Sequence, residues 1–119
     1  MRNAAITGWG MAVPDRVLSN ADLEQMVETT DEWITKRVGI QTRHIADGNT
    51  ATSDMAVEAA KRALASRGVD PASVEMIIVC TVTPDHFFPA TACLVQDRLG
   101  AKGAWGFDLS AACSALSSR

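Results

Sequence analysis

Residues 76–82, MIIVCTV, are the strongest evidence for the fold class of this chain. The run is continuous, apolar and rich in β-branched side chains, which is typical of a strand covered on both faces, as in a parallel sheet. A second strand is predicted at WGFDL, residues 105–109, and a helical stripe over 92–99, closed by Gly100, lies between the two. Because strand, helix and strand alternate, the sequence predicts an α/β domain with a mostly parallel sheet and packed helices.

Upstream of this stretch, residues 52–67 carry the clearest helix pattern in the chain. Their apolar side chains recur with the period of one helix face, and nearly all of them are alanine. Thr52 or Ser53 is expected to cap the helix, and Gly68 is expected to end it. An alanine face of this kind allows the element packed against it to approach closely.

Toward the N-terminus, residues 3–8 are short and apolar and predict a buried strand, and two short helices follow. Asn20 is expected to cap the first helix and Thr30 the second, which Gly39 ends. The glycines of residues 8–10 begin a dinucleotide-binding pattern, but its third glycine and its helix are missing, so no dinucleotide site is expected.

Composition excludes several classes of protein. The chain has 119 residues, of which 47% are hydrophobic and 21% charged, as in an ordinary globular domain. Its net charge of −3 disfavours a nucleic-acid binder, which needs excess positive charge. Without a signal-peptide pattern or an apolar run of about 18 residues, we expect a cytoplasmic protein with no membrane contact.

The three cysteines are widely spaced and form no CxxC pair, so neither a zinc site nor any other metal site is expected. Cys80 lies within the apolar strand and Cys93 on a helix, and both are interpreted as small buried hydrophobic residues. Cys113 instead follows a strand and a run of small residues where a helix is expected to begin. Free backbone N–H groups and the helix dipole would favour its thiolate there, which predicts a nucleophile.

Five ordered motifs give the chain a family resemblance. It resembles β-ketoacyl-acyl-carrier-protein synthase III, a thiolase-like condensing enzyme, from residue 3 to residue 114. The motifs are NADLE (20–24), TDEWI (30–34), RVGIQTRHI (37–45), FPATAC (88–93) and FDLSAACS (107–114). The resemblance implies that residues 1–119 are the N-terminal half of a thiolase-like fold, incomplete and ending just after the nucleophile.

The resemblance also implies a reaction. Enzymes of this family start fatty-acid synthesis: a cysteine takes an acyl group, usually acetyl, from acyl-CoA, and the thioester is then condensed with malonyl-acyl-carrier protein. Cys113 matches the family nucleophile, and a thiolate is both an attacking species and a good leaving group. Acyl-CoA is then a substrate, no cofactor is needed, and the partners are acyl-carrier protein and, in the full-length enzyme, a second copy of the chain.

Four further residues match family positions. Trp33 and Arg37 match residues that hold the CoA adenine, and their i, i+4 spacing places them on one helix face. Thr29 matches another position lining the CoA site, with weaker support. Phe88 matches a residue that crosses the family dimer to close the acyl pocket of the partner.

Two local departures from the family pattern accompany the absence of its second half. Ala115 and Leu116 follow Cys113-Ser114 where the family has glycine and an aromatic residue, and Gln41 replaces a residue that is often basic. The family takes its catalytic histidine and asparagine from the second half of its fold. We therefore expect that this chain alone does not carry out the condensation.

Three alternatives remain open at this point. The first is a starter-unit condensing enzyme of secondary metabolism. The second is a non-catalytic module that binds CoA or a partner through Trp33 and Arg37, and the third is an unrelated α/β domain in which Cys113 is structural. Acetylation confined to Cys113 would favour an acyltransferase over the other two.

Overall fold

The computed structural model describes residues 4–116, which form two compact units. Val13–Asn49 is the smaller unit, and the described residues on either side of it form the larger one. Asn3, at the start of the strand predicted over 3–8, and Ser117–Arg119 lie outside the described residues. No helix in the described part of the chain is long and apolar enough to cross a bilayer.

The smaller unit contains a two-stranded antiparallel sheet and two helices. Strand β1 (Val17–Ser19) pairs with β2 (Thr42–His44), so that Leu18 lies opposite Arg43. Helices α1 (Asn20–Glu24) and α2 (Asp31–Val38) lie between the two strands in the chain. The sequence does not predict this sheet, because strands of three residues show no measurable alternation.

Helix α1 begins one residue earlier than predicted. Its cap is Ser19, whose Oγ accepts the Asp22 N–H at 3.1 Å while the Asp22 carboxylate accepts the Ser19 N–H at 2.8 Å. Asn20, the predicted cap, is only 2% exposed, and its side-chain amide donates to Asp31 at 2.6 Å and to the Ile40 carbonyl at 2.9 Å. Asn20 thus ties the two helices of this unit together instead of capping the first.

Helix α2 agrees with its sequence pattern at both ends. The Thr30 Oγ accepts the Trp33 N–H at 3.1 Å, as a cap does. Gly39 ends the helix with φ of 70°, in the left-handed region that glycine adopts without steric cost. The predicted limits of this helix are confirmed.

The first helix of the larger unit is α3 (Thr52–Ala65), which Ala51 precedes as cap. The prediction that Thr52 or Ser53 caps this helix is wrong, because the Asp54 carboxylate accepts the Ala51 N–H at 2.7 Å instead. The hydroxyl of Thr52 donates to the Thr83 carbonyl at 2.7 Å, and Ser53 is buried and accepts a hydrogen bond from Arg98. Both candidate caps therefore bind neighbouring segments.

The parallel sheet of the larger unit confirms the predicted α/β class. Strand β3 (Met76–Cys80) pairs in parallel with β4 (Trp105–Leu109), and α4 (Thr91–Leu99) connects them. The core lies on one side of this sheet and consists of residues from α3, β3 and α4: Val57, Val79, Ala92 and Val95.

Two predictions about strands are wrong. Within residues 4–116 nothing covers the second face of the sheet, since Met76 and Ile78 of β3 and Trp105 of β4 are all about half exposed. Residues 4–8 do not form a strand, and Ile6 is 95% exposed. A strand exists only where a neighbouring strand accepts its backbone hydrogen bonds, and an apolar composition alone does not supply that neighbour.

Candidate functional site

Cys113 lies in a short turn at the carboxyl end of the parallel sheet. After β4, the chain enters a 3₁₀ turn at Ala112–Leu116, in place of the predicted helix start. The Ser114 N–H and Oγ both donate to the Ala111 carbonyl, at 3.1 and 2.6 Å, and hold this turn closed. The thiol of Cys113 is exposed to solvent.

The residue before the cysteine has an unusual backbone. Ala112 adopts φ of 44°, which makes it the one residue other than glycine with a positive φ in the described part of the chain. For an alanine this conformation costs about 1–2 kcal/mol, because Cβ approaches the following carbonyl. The chain therefore turns sharply between β4 and Cys113, and small side chains leave the thiol accessible.

The other two cysteines are not buried, which corrects the sequence interpretation. Cys80 and Cys93 are both exposed. Cys80 lies in β3 at a position whose side chain points away from the core, because side chains alternate along a strand. Cys93 faces solvent on α4 although its neighbour Ala92 is fully buried. Residue type and position in an apolar strand or helix predicted burial, and the direction of each side chain overrode it.

A small pocket adjoins the Cys113 turn. It has a volume of about 280 Å³ and is lined by Cys80, residues 81–83 and Ala112. The Cys80 thiol donates to the Ala115 carbonyl with an Sγ–O distance of 4.0 Å. The sequence alone does not show that Cys80 lies near this turn. The parallel order of the two strands was a signal for it, because parallel strands bring their carboxyl ends together.

Asp108, which sequence analysis also missed, connects β4 to the preceding loop. Its two carboxylate oxygens accept the N–H groups of Thr91 and Ala92, at 2.7 and 2.8 Å, at the start of α4. The Thr91 hydroxyl in turn accepts the Asp85 N–H, and the Asp85 carboxylate accepts the Ser53 N–H at 2.9 Å. This chain of hydrogen bonds fixes the β3–α4 loop to the strand that leads to Cys113.

The β3–α4 loop presents two phenylalanines to solvent. Phe88, a predicted site residue, is 91% exposed, and Phe87 is completely exposed. Two adjacent exposed aromatic side chains on a loop are typical of a contact surface rather than of a core. The geometry leaves both rings free to meet another molecule.

Trp33 and Arg37 lie one turn apart on α2 and contact each other. The Arg37 guanidinium carbon lies 5.2 Å from the centre of the Trp33 ring, a cation–π distance, and Trp33 is 56% exposed. An aromatic base between them needs more room than this 5.2 Å, because it must stack on both the ring and the guanidinium. Arg37 must therefore move before the two residues can hold a base between them.

Thr29 and Trp33 line the same pocket. This cavity has a volume of about 240 Å³, and its other lining residues are Glu28 and Thr30. The smaller unit thus brings Thr29 next to Trp33, which contacts Arg37, as one surface. The larger unit holds Cys113 and Phe88, together with Cys80 and Asp108. Among residues 4–116, no cluster of three or more histidine, cysteine or acidic side chains could hold a metal ion.

Curated proteins of similar sequence include β-ketoacyl-[acyl-carrier-protein] synthases III, by their names. No family model matches the chain. The curated β-ketoacyl-[acyl-carrier-protein] synthase III of Solibacter usitatus is 60% identical over 114 residues, which are 96% of this chain and 34% of that relative. This chain therefore spans about a third of the length of the curated relative.

Solved structures give the same result for the fold. The 3-oxoacyl-[acyl-carrier-protein] synthase III of Aquifex aeolicus is 51% identical, with a TM-score of 0.83 over 90% of this chain and 34% of that one. The priming β-ketosynthase of the R1128 polyketide biosynthetic pathway is 40% identical, with a TM-score of 0.84 over 90% of this chain and 32% of that one. The described residues have the thiolase-like α/β fold of these condensing enzymes, and the family resemblance is confirmed.

Proposed function

We propose that this chain, a relative of the β-ketoacyl-acyl-carrier-protein synthases III over about a third of their length, accepts an acyl group from acyl-CoA on Cys113. The observation that carries the proposal is the exposed thiol of Cys113 on a tight turn at the carboxyl end of a parallel strand. Ligands of open α/β sheets bind outside this end of the strands.

The proposed step is a thioester exchange. The Cys113 thiolate attacks the carbonyl carbon of the acyl-CoA thioester, a new carbon–sulfur bond forms, and the bond to the CoA sulfur breaks as the tetrahedral intermediate collapses. CoA leaves as its thiolate and takes up a proton. The small residues around Cys113 allow the thioester carbon to approach the sulfur.

CoA binding is assigned to the surface of the smaller unit. The exposed Trp33 ring offers a stacking face to the adenine, and Arg37 offers a guanidinium to the adenine or to a phosphate of CoA. Thr29 lines the cavity beside that ring and contributes a hydroxyl. Arg37→Ala is expected to weaken CoA binding, while the Cys113 thiol stays available for acylation.

Within the whole enzyme, we infer a role in fatty-acid initiation. Acetyl-CoA is the proposed acyl donor, and malonyl-acyl-carrier protein is the proposed second substrate. The proposed reaction requires no further cofactor. Residues 1–119 are then the N-terminal thiolase-like domain of a cytoplasmic homodimer. Phe88 on its exposed loop is the proposed residue that closes the acyl pocket of the partner subunit.

A second candidate function is the use of a different starter unit in specialised metabolism. The similarity to a priming β-ketosynthase of a polyketide pathway, at 40% identity, supports it. Both candidates share the acylation of Cys113 and differ in the acyl group transferred. Competition between acetyl-CoA and longer acyl-CoAs for Cys113 distinguishes them.

The test is acetyl transfer to the purified chain. After incubation with acetyl-CoA, mass spectrometry of the intact chain is expected to show one acetyl group, and peptide mapping is expected to place it on Cys113. Cys113→Ser is expected to abolish the modification, whereas Cys93→Ser, which removes another exposed thiol, is expected to leave it unchanged. Acetylation spread equally over the three cysteines would contradict the proposal, and CoA binding without acetylation would favour a binding module.

A further inference from the structure

Asn20 is a buried polar residue that joins α1 to three other segments of the smaller unit. Its side-chain amide donates to the Asp31 carboxylate at 2.6 Å and to the Ile40 carbonyl at 2.9 Å. Its side-chain oxygen accepts a hydrogen bond from the Arg43 guanidinium of β2 at 2.7 Å. Both the nitrogen and the oxygen of this side chain are therefore bonded to protein groups.

These hydrogen bonds hold α2 at both of its ends. Asp31 is the first residue of the helix, and Ile40 directly follows Gly39, at which the helix ends. The Asn20 N–H also donates to the Gln41 carbonyl at 3.1 Å, which reinforces the contact at the second end. The helix cannot shift away from α1 without breaking a hydrogen bond of a buried amide, and leaving such a group unpaired is costly.

The pocket beside Trp33 is built from the segments that this contact joins. Residues 28–30 belong to the loop that precedes α2, and Trp33 belongs to the first turn of the helix. Glu24, the last residue of α1, accepts the Asp31 N–H at 2.6 Å, so the two ends of the loop meet. The Thr30 hydroxyl accepts the Trp33 N–H at 3.1 Å. Trp33 therefore keeps its place beside the loop only while the start of α2 stays against α1.

We propose that Asn20 is a positioning residue for CoA binding, because it holds α2 so that Trp33 and Arg37 stay in place beside residues 28–30. The inference rests on the proposed assignment of CoA to this surface. Asn20 acts through Asp31 and the end of α2 and does not touch the ligand, since its side chain is buried and fully engaged. A site that is already ordered binds more tightly, because less conformational freedom is lost on binding.

The test reverses the polarity of the Asn20–Asp31 hydrogen bond. Asn20→Asp places a second carboxylate where the amide donates, and repulsion is expected to release the start of α2. Combining Asn20→Asp with Asp31→Asn restores one donor and one acceptor across the contact and keeps an acceptor for Arg43. By isothermal titration calorimetry, the dissociation constant for CoA is expected to rise about tenfold in Asn20→Asp and to return to within about threefold in the double variant. Asn49→Asp, the same change at an exposed position of the same unit, is the control and is expected to leave the affinity unchanged.

Acetyl transfer separates positioning from chemistry. The acetyl-CoA concentration that half-saturates the acylation of Cys113 is expected to rise about tenfold in Asn20→Asp, while the rate at saturation stays within about twofold. The two effects separate because Cys113 belongs to the other unit. Equal CoA affinity in the unmodified chain and in Asn20→Asp, or a loss that the double variant does not restore, would overturn the proposal.

Hydrogen exchange gives a readout that needs no ligand. In Asn20→Asp, the amides of residues 31–34 are expected to exchange about tenfold faster than in the unmodified chain, and in the double variant they are expected to slow again. Unchanged exchange in Asn20→Asp would overturn the role of Asn20 even where the unmodified chain binds CoA. If exchange accelerates but the unmodified chain does not bind CoA, the proposed CoA surface fails, and the role of Asn20 in binding fails with it.

Discussion

Ala112 sets the path of the chain into the candidate nucleophile. Its φ of 44° lies in a region where an alanine is strained and a β-branched residue is strained further. The neighbouring residues Ala111 and Ser114 satisfy the turn by hydrogen bonds, which shows that local polar contacts hold the conformation. The access of Cys113 to solvent thus depends on the backbone of the residue before it.

This strain leads to a prediction for substitutions at Ala112. Ala112→Val is expected to lower the free energy of unfolding by about 1–3 kcal/mol, because a β-branched side chain tolerates this φ poorly. Ala112→Gly is expected to stay within about 1 kcal/mol of the unmodified chain, because relief of strain and loss of backbone entropy oppose each other. Urea denaturation followed by tryptophan fluorescence measures both. An Ala112→Val variant as stable as Ala112→Gly would show that the turn is not strained.

The start of helix α4 depends on a carboxylate supplied by another element. The helix has Ala90 as its cap residue, and an alanine offers no side-chain acceptor. Asp108 of β4 takes that role by accepting two N–H groups at the first turn, where a negative charge also interacts favourably with the helix dipole. One side chain therefore stabilises the helix, the strand and the loop that carries Phe88.

We predict a local loss of order when this carboxylate is removed. Asp108→Ala is expected to lower the free energy of unfolding by about 1–3 kcal/mol and to speed hydrogen exchange at the amides of Thr91 and Ala92. Asp108→Asn retains one acceptor oxygen, and its free energy of unfolding is expected to lie between those of the unmodified chain and Asp108→Ala. Asp97→Ala, at the opposite end of the same helix, is the control. Unchanged exchange at Thr91 in Asp108→Ala would contradict the capping role.

At the level of the whole molecule, the two units differ in what holds them together. The larger unit has an apolar core on one side of its parallel sheet, and Arg98 of α4 bridges to Asp54 of α3 at 2.8 Å. The smaller unit has Ile34 as its one buried large apolar side chain among the described residues, and the polar network of Asn20 supplements it. Burial of apolar side chains therefore dominates the stability of the larger unit, and hydrogen bonding contributes more to the stability of the smaller unit.

The Asp54 carboxylate makes the stability of the larger unit depend on pH. The hydrogen bond from the Ala51 N–H, and then that from Arg98, lower the pKa of Asp54 below its usual 3.8. A carboxylate with a lowered pKa stabilises the fold above its unfolded pKa, and the contribution is lost as the pH falls through the folded pKa. We therefore expect Asp54→Asn to be less stable than the unmodified chain at pH 7.

The same variant tests the sign of this effect. Between neutral and strongly acidic pH, the urea midpoint of the unmodified chain is expected to fall further than that of Asp54→Asn, so that the two curves converge in acid. Asp97→Asn removes a carboxylate from the same unit and serves as the control. Parallel curves for Asp54→Asn and the unmodified chain would mean that the Asp54 contacts do not contribute to stability.

The sequence was sufficient to predict the α/β class, the parallel pair of strands, and the limits of the second helix. These features depend on local patterns: β-branched runs, helical periodicity, and a threonine and a glycine at the ends of α2. It was also sufficient for the resemblance to the condensing enzymes, which rests on residue identity in an ordered set of motifs. None of these features requires knowledge of which segments meet.

Contacts between distant segments were beyond sequence analysis, because they depend on the direction of each side chain after folding. The exposure of Cys80 depends on which side of the sheet carries the core. Buried Asn20 binds Asp31 of another helix, and Asp108 caps α4 from another strand. The missing strand over 4–8 has the same origin, since a strand is defined by its neighbour and not by its own composition. Periodicity specifies which face of an element is apolar, and only packing specifies what that face meets.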